Sequence, residues 1–176
     1  PNFGGRHMIH IYCGDGKGKT TAACGLAFRA ASSGMRVLIA QFFKDGSSSE
    51  ILGFSALPMV DVLHAEKHFG RYKMMRDAER AEAAALYSGM LSQIAARAPQ
   101  YQMIVLDESL PAYRHGLIGS AALLDFLRRE GNLRELVLTG RDPAPELVAL
   151  ADYVTERKKV KHPFDLGIKA RRGIEY

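Results

Sequence analysis

The chain has 176 residues, 47% hydrophobic and 24% charged, the usage of an ordinary globular protein with enough length to bury a core. Collagen-like, low-complexity and disordered classes are excluded, and no apolar run has the length that spans a bilayer. The net charge of +5 leaves an anionic partner open, either a nucleic acid or a small molecule.

Met8 to Cys13 (MIHIYC) is a short apolar run ending in glycines and predicts a buried strand. Thr20 to Ser33 is rich in Ala, Leu and Phe and predicts a helix, with Gly34 just past its end. Arg36 to Phe43 (RVLIAQFF) predicts a second buried strand, and Lys44 to Glu50 (KDGSSSE) a polar loop. Val60 to Ala65 predicts a third strand, whereas Phe69 to Met75 fits no element. Asp77 to Arg97 predicts a long helix closed by Pro99. Met103 to Glu108 (MIVLDE) predicts a strand ending in two acids, and Ser120 to Arg129 a helix stopped by Gly131. Glu135 to Arg141 predicts a strand, Pro143 to Ala151 a helix with Pro143 in its first turn, and Asp152 to Glu156 a last strand. The rest, from about residue 157, reads as irregular.

Apolar strands alternating with helices predict an α/β fold, a mostly parallel sheet covered by helices on both faces. With no repeat or linker, residues 1–176 read as one domain. The opening PNFGGRH lacks the apolar core of a signal peptide. Cys13 and Cys24 are too few and too badly spaced for a zinc site or a disulfide framework, and read as reduced thiols of a cytoplasmic protein.

The stretch YCGDGKGKTT, Tyr12 to Thr21, carries the clearest chemistry. The Walker A pattern G-x-x-x-x-G-K-[ST] is met at Gly18, Lys19 and Thr20, but Cys13 stands where the first glycine is expected. Strand, loop and helix follow in the right order. Gly14, Gly16 and Gly18 let the backbone curl, so that amides at a helix N-terminus converge on phosphate oxygens. Lys19 reaches those oxygens, and Thr20 offers a hydroxyl to Mg²⁺. MIVLDE has the form of a Walker B strand, lying beside the loop and bringing Asp107 and Glu108 to Mg²⁺. Spacing does not say which acid is nearer the metal. The bland reading of the loop is a glycine-rich turn with solvated lysines. For either acid it is a helix cap or a partner for an arginine.

Two distant segments narrow the choice among P-loop proteins. LTGRDPAPELVALADYVTE (Leu138 to Glu156) and KHPFDLGIKARRGIEY (Lys161 to Tyr176) resemble the end of the cytoplasmic ATP:corrinoid adenosyltransferases. GDGKGKTTAACGLAFRA resembles that family's loop and following helix, and QFFK (Gln41 to Lys44) and VLDE fit as well. The resemblance implies a P-loop, RecA-like NTPase fold, usually dimeric, and transfer of the 5′-deoxyadenosyl group of ATP to Co(I) of a corrinoid with release of tripolyphosphate. It implies that Gly14, Asp15, Gly16, Lys17, Gly18, Lys19, Thr20 and Thr21 hold the phosphates. Arg29 would lie near the nucleoside, and Arg141 would touch phosphate or nucleotide. Thr20, Asp107 and Glu108 would serve Mg²⁺ or Mn²⁺, with Lys19 and Glu108 as the catalytic pair. A reductase that supplies electrons to cobalt is an implied partner; a membrane or nucleic acid is not.

Two segments depart from the family's pattern, both where the corrin should sit. HAEKHFGRYKMMRDAE (His64 to Glu79) replaces an aromatic stretch of the family, and the chain has no Trp. Phe69 and Tyr72 are the candidate substitutes. DESLPAYRHG (Asp107 to Gly116) replaces the usual run after the Walker B acids, and Pro111 interrupts it. His64, His68 and His115 fall in these segments; they read as surface or satisfied residues, with cobalt coordination as the sharper alternative. Met74, Met75 and Met103 read as packing, and the basic runs at 157–162 and 169–172 as a solvated tail. Alternatives for the whole chain are a P-loop ATPase or kinase of another class and a non-catalytic paralogue that binds ATP or a corrinoid.

Overall fold

The computed structural model describes residues 5–44 and 46–175. The apolar runs form β1 (Ile9–Cys13), β2 (Val37–Gln41), β3 (Val60–His64), β4 (Met103–Asp107), β5 (Glu135–Thr139) and β6 (Tyr153–Glu156). They lie in one sheet in the order β3-β2-β4-β5-β1-β6, with every pairing parallel. Between them run α1 (Lys19–Ser32), α2 (Ser49–Phe54), α3 (Asp77–Arg97), α4 (Ser109–Arg114), α5 (Ser120–Glu130) and α6 (Pro145–Leu150). Parallel neighbours need crossovers, and these helices cover the sheet on both faces.

β2 shows why the strands read as unbroken apolar runs. Leu38 and Ala40 join one core cluster, with α3 and α5 residues such as Tyr87, Ile94 and Phe126. Val37 and Ile39 join the other, with Ala23, Ala27 and Ala30 of α1. The alanines let α1 lie close to the sheet, which brings its N-terminus to the carboxyl end of β1.

Several local expectations need correction. The helix before β6 starts at Pro145 rather than Pro143, so Pro145 takes the first-turn position where a missing N–H costs nothing. Pro111 does not interrupt the chain after the acids: it is the third residue of α4, still among the amides a helix leaves unpaired. Lys44 to Glu50 is not all loop, because α2 begins at Ser49. The unassigned segment contains a 3-10 turn, Tyr72–Met74. Met75 and Met103 are buried, but Met74 is exposed. Among the described residues, no helix is long and apolar enough to cross a membrane.

The register gathers chemistry at one edge. Gln41 of β2 pairs with Asp107 of β4, Tyr12 of β1 with Thr139 of β5, and Cys13 of β1 with Glu156 of β6. These are strand carboxyl ends, where open α/β sheets bind ligands.

Candidate nucleotide site

The loop after β1 is shaped by its neighbour β6. Arg157 N donates to the Cys13 carbonyl at 2.8 Å, and Gly16 N donates to the Arg157 carbonyl at 2.6 Å. The Arg157 backbone therefore lies flat against the loop. A Cβ on Gly16 would stand 2.6 Å from that carbonyl oxygen, and one on Gly14 would fall on the same atom. Gly14 also has φ +104° and Gly18 φ +100°, conformations that side chains rarely adopt. Cys13 is still in the strand, which is why no glycine is needed there. Gly16→Ala is expected to cost about 2 kcal/mol through this overlap, seen as a fall of several degrees in Tm together with weakened ATP binding.

Lys19 opens α1, and its Nζ donates to the Gly16 carbonyl at 2.9 Å, curling back over the loop. Burial pushes its pKa down; Glu108 pulls it back up, while Arg141 and Arg157 push it further down. Lys19, Arg141 and Arg157 thus act on one another beside two acids, Glu108 and Asp15, a field whose net positive charge favours an anion.

Below them lies a polar hub. Asp107 is 1% exposed, and its carboxylate accepts four hydrogen bonds. Thr20 Oγ1 and Thr139 Oγ1 donate to Oδ1 at 2.8 and 2.7 Å. Gln41 Nε2 and Lys44 Nζ each donate to Oδ2 at 3.1 Å. Lys44 also pairs with Glu50 at 3.4 Å. Burial alone would lower the Lys44 pKa, but Asp107 and Glu50 outweigh it and raise it. Gln41, Lys44 and Thr139 were not singled out as site residues by sequence. Their signal was present in QFFK and TGR, but only the fold joins those runs to Asp107. β5 stands between β4 and β1 in the sheet; Asp107 reaches Thr20 of the loop directly, and Thr139 of the intervening strand donates to the same oxygen.

Glu108 is different. It sits at φ +58° in the turn from β4 to α4, held by its N–H donating to Thr139 Oγ1 at 2.9 Å. Among the described residues, no side chain forms a hydrogen bond or ion pair with its carboxylate. Burial first, and then Asp107, push its pKa up, against the pull of Lys44, Lys19 and Arg141. A raised carboxyl contributes stability fully present below the ordinary value of about 4.3 and lost as pH rises through the folded pKa. Glu108→Gln should therefore raise Tm at neutral pH and flatten its decline between pH 4 and 8, followed by calorimetry.

The other expected residues are spread around this centre. Asp15 is exposed and accepts from Lys159 N at 2.9 Å. Lys17 borders a cavity of about 460 Å³ shared with Phe164 and Lys169 of the C-terminal segment. Thr21 lines a larger cavity, about 680 Å³, with Thr20, Cys24, Lys44 and His68. Arg141 is exposed but close enough to act on Lys19, Asp15 and Glu108. Arg29 stands apart in the last turn of α1, ten residues and so about 15 Å along the helix from Lys19. Cys24 faces the larger cavity, yet burial pushes its thiol up to about 12, an unreactive state.

The family model described as ATP:corrinoid adenosyltransferase BtuR/CobO/CobP matches residues 5–176. The chain belongs to this family. A corrinoid adenosyltransferase of Pseudomonas aeruginosa is 33% identical over 175 residues, covering 97% of this chain and 84% of its own. The corrinoid adenosyltransferase CobA of Salmonella typhimurium is 31% identical, covering 97% of this chain and 86% of its own. Among solved structures, EssC (ATPases 2 and 3) from Geobacillus thermodenitrificans superposes with a TM-score of 0.53 at 14% identity, over 95% of this chain and 35% of that one. That likeness concerns the fold alone, and fits the P-loop reading of the sheet.

The two segments that depart from the adenosyltransferase pattern touch each other. Tyr72 stacks on His115 with ring centroids 3.8 Å apart and planes 8° from parallel. Arg80 lies over the Tyr72 ring, 4.6 Å from its centroid. Burial, and then Arg114, Arg80 and Lys73, hold His115 below its ordinary pKa. Phe69 meets Tyr87 edge-on at 6.1 Å. Of the histidines, His64 bonds the Ala65 carbonyl at 3.0 Å, and His68 is exposed at the larger cavity.

Proposed function

We propose that the protein transfers the 5′-deoxyadenosyl group of ATP to the Co(I) centre of a corrinoid and releases tripolyphosphate. The observation that carries this reading is the loop whose Lys19 curls back onto the Gly16 carbonyl and whose Thr20 is tied to the Asp107 hub, in a chain matched by the adenosyltransferase family over residues 5–176. Reduced cobalt attacks C5′; the Co–C bond forms, the C5′–O bond breaks, and the electron pair leaves on the triphosphate oxygen. No proton is removed, so no general base is required. The chain's tasks are to place C5′ near cobalt and to stabilise the negative charge that develops on the leaving group.

Residues 14–21 hold the phosphates. Lys19 exchanges its bond to the Gly16 carbonyl for a phosphate oxygen, Lys17 and Arg141 add charge from the rim, and Arg29 serves the nucleoside end. The hydroxyl and carboxylate oxygens of Thr20, Glu108 and Asp107 suit a hard divalent cation such as Mg²⁺ or Mn²⁺. Asp107 already accepts four protein donors, so Glu108 is the freer ligand and Asp107 orients Thr20. Among the described residues, no cluster of three or more His, Cys, Asp or Glu could hold a metal alone; Thr20 and Glu108 would hold the cation together with phosphate oxygens of the nucleotide. A bound metal would neutralise triphosphate charge as it leaves.

The larger cavity has the volume of a small-molecule site and receives the substrates above Thr20. Phe69 and Tyr72 pack on the corrin, with Tyr72 braced by His115. The whole chain acts as one cytoplasmic domain, as a homodimer, with a separate reductase for cobalt.

Phosphorus NMR of a reaction with Mg-ATP and reduced cobalamin tests which end of ATP leaves. The expected signal is tripolyphosphate. ADP and orthophosphate in its place would assign the loop to a phosphoryl-transfer enzyme.

A further inference from the structure

The chain does not turn away from the phosphate loop where it leaves β6. Arg157 follows Glu156, and its backbone is fixed to the loop at two points, by donation to Cys13 and acceptance from Gly16. Its side chain runs forward over Gly18: Nη1 lies 3.4 Å, Cζ 3.7 Å and Cδ 3.9 Å from where a Cβ on Gly18 would be. The guanidinium is therefore at the mouth of the loop, positioned by two main-chain bonds rather than by a long free stem.

What it lacks is a partner. Arg6, Arg36, Arg114 and Arg134 each lie on a carboxylate. Among the described residues, no acid pairs with Arg157, and its Nε is buried with no hydrogen-bond acceptor. A buried, unsatisfied donor on an ionised group is costly, and such groups in folded proteins are met by a ligand or water. The local field points the same way, since Arg157 and Arg141 both disfavour the charge on Lys19. A planar fork with free donors beside a phosphate loop matches a phosphate oxygen pair.

We propose that Arg157 is a phosphate-binding residue, its guanidinium contacting the triphosphate of the bound nucleotide and taking up charge as that group departs. This rests on the reading of the loop as an ATP site. It also gives the RKK run at 157–159 a role at its first residue: β6 pairs with β1, and that pairing delivers Arg157 to the loop.

Arg157→Met keeps the stem and both main-chain bonds but removes the donors, and Arg157→Lys returns a point charge. Calorimetric titration with tripolyphosphate, with adenosine as a control, reads the contact directly. The expected result is tripolyphosphate binding about tenfold to a hundredfold weaker in Arg157→Met, partly restored in Arg157→Lys, with adenosine affinity unchanged and no fall in Tm. In turnover, kcat falls while KM for the corrinoid holds. Unchanged tripolyphosphate affinity in Arg157→Met overturns the proposal and leaves the ATP site standing, as does a fall in Tm without a fall in affinity. Wild-type protein that binds neither tripolyphosphate nor ATP overturns both.

Discussion

Lys19→Ala is expected to lower kcat/KM for adenosyl transfer by roughly a hundredfold to a thousandfold, the usual loss when one donor to a developing negative charge is removed. Lys19 opens α1 and folds back to the Gly16 carbonyl at 2.9 Å, so its ammonium already lies against the loop. The effect should fall on kcat, because the triphosphate carries more charge on its bridging oxygen as the C5′–O bond breaks than it does before. Stability should hardly change. Burial, Arg141 and Arg157 all disfavour the Lys19 charge, so the fold gains little from it. A thermal melt beside the kinetic assay separates the two effects. Activity within a few-fold of wild type would mean that the phosphates do not sit on this loop.

Asp107→Ala is expected to act on stability first. The carboxylate accepts from Thr20, Thr139, Gln41 and Lys44, and removing it leaves Lys44 only Glu50 as a partner and strands a fully buried Gln41 amide. Breaking a buried charge pair from one side costs about 3–5 kcal/mol, which for a chain of this size is a fall in Tm of roughly 10 °C. The Lys44 pKa is raised in the fold. Its contribution is therefore complete below the ordinary lysine value of about 10.4 and is lost only above it, so the loss in Asp107→Ala should be nearly constant from pH 6 to 9. Adding Lys44→Met should recover part of the stability, a non-additivity that a double-mutant cycle measures. Strict additivity would show that the two residues do not share the hub.

How much of this was legible depended on how far each feature reached along the chain. The strands were legible because each is an apolar run with turn signals at its ends, and α3 because its 21 residues carry the pattern well past any ambiguity. The six-residue helices α2 and α4 were not. Each is under two turns, too short to show a period, and Pro111 in α4 reads as a breaker unless its place in the first turn is known. The phosphate loop was legible because its chemistry is local. The hub was only half legible: Thr20 and Asp107 belong to recognisable motifs, but Gln41, Lys44 and Thr139 reach Asp107 through the sheet. Arg157 reads as tail in the sequence and stands at the loop in the structure, since nothing in the chain announces that β6 pairs with β1.

The most direct test of the account is the visible absorption spectrum of chemically reduced cobalamin mixed anaerobically with the protein and Mg-ATP, recorded before and after illumination. The expected result is a shift to an alkylcobalt spectrum that reverts in light and does not form without ATP. A spectrum that stays that of free cobalamin, from folded protein that binds ATP, would contradict adenosyl transfer.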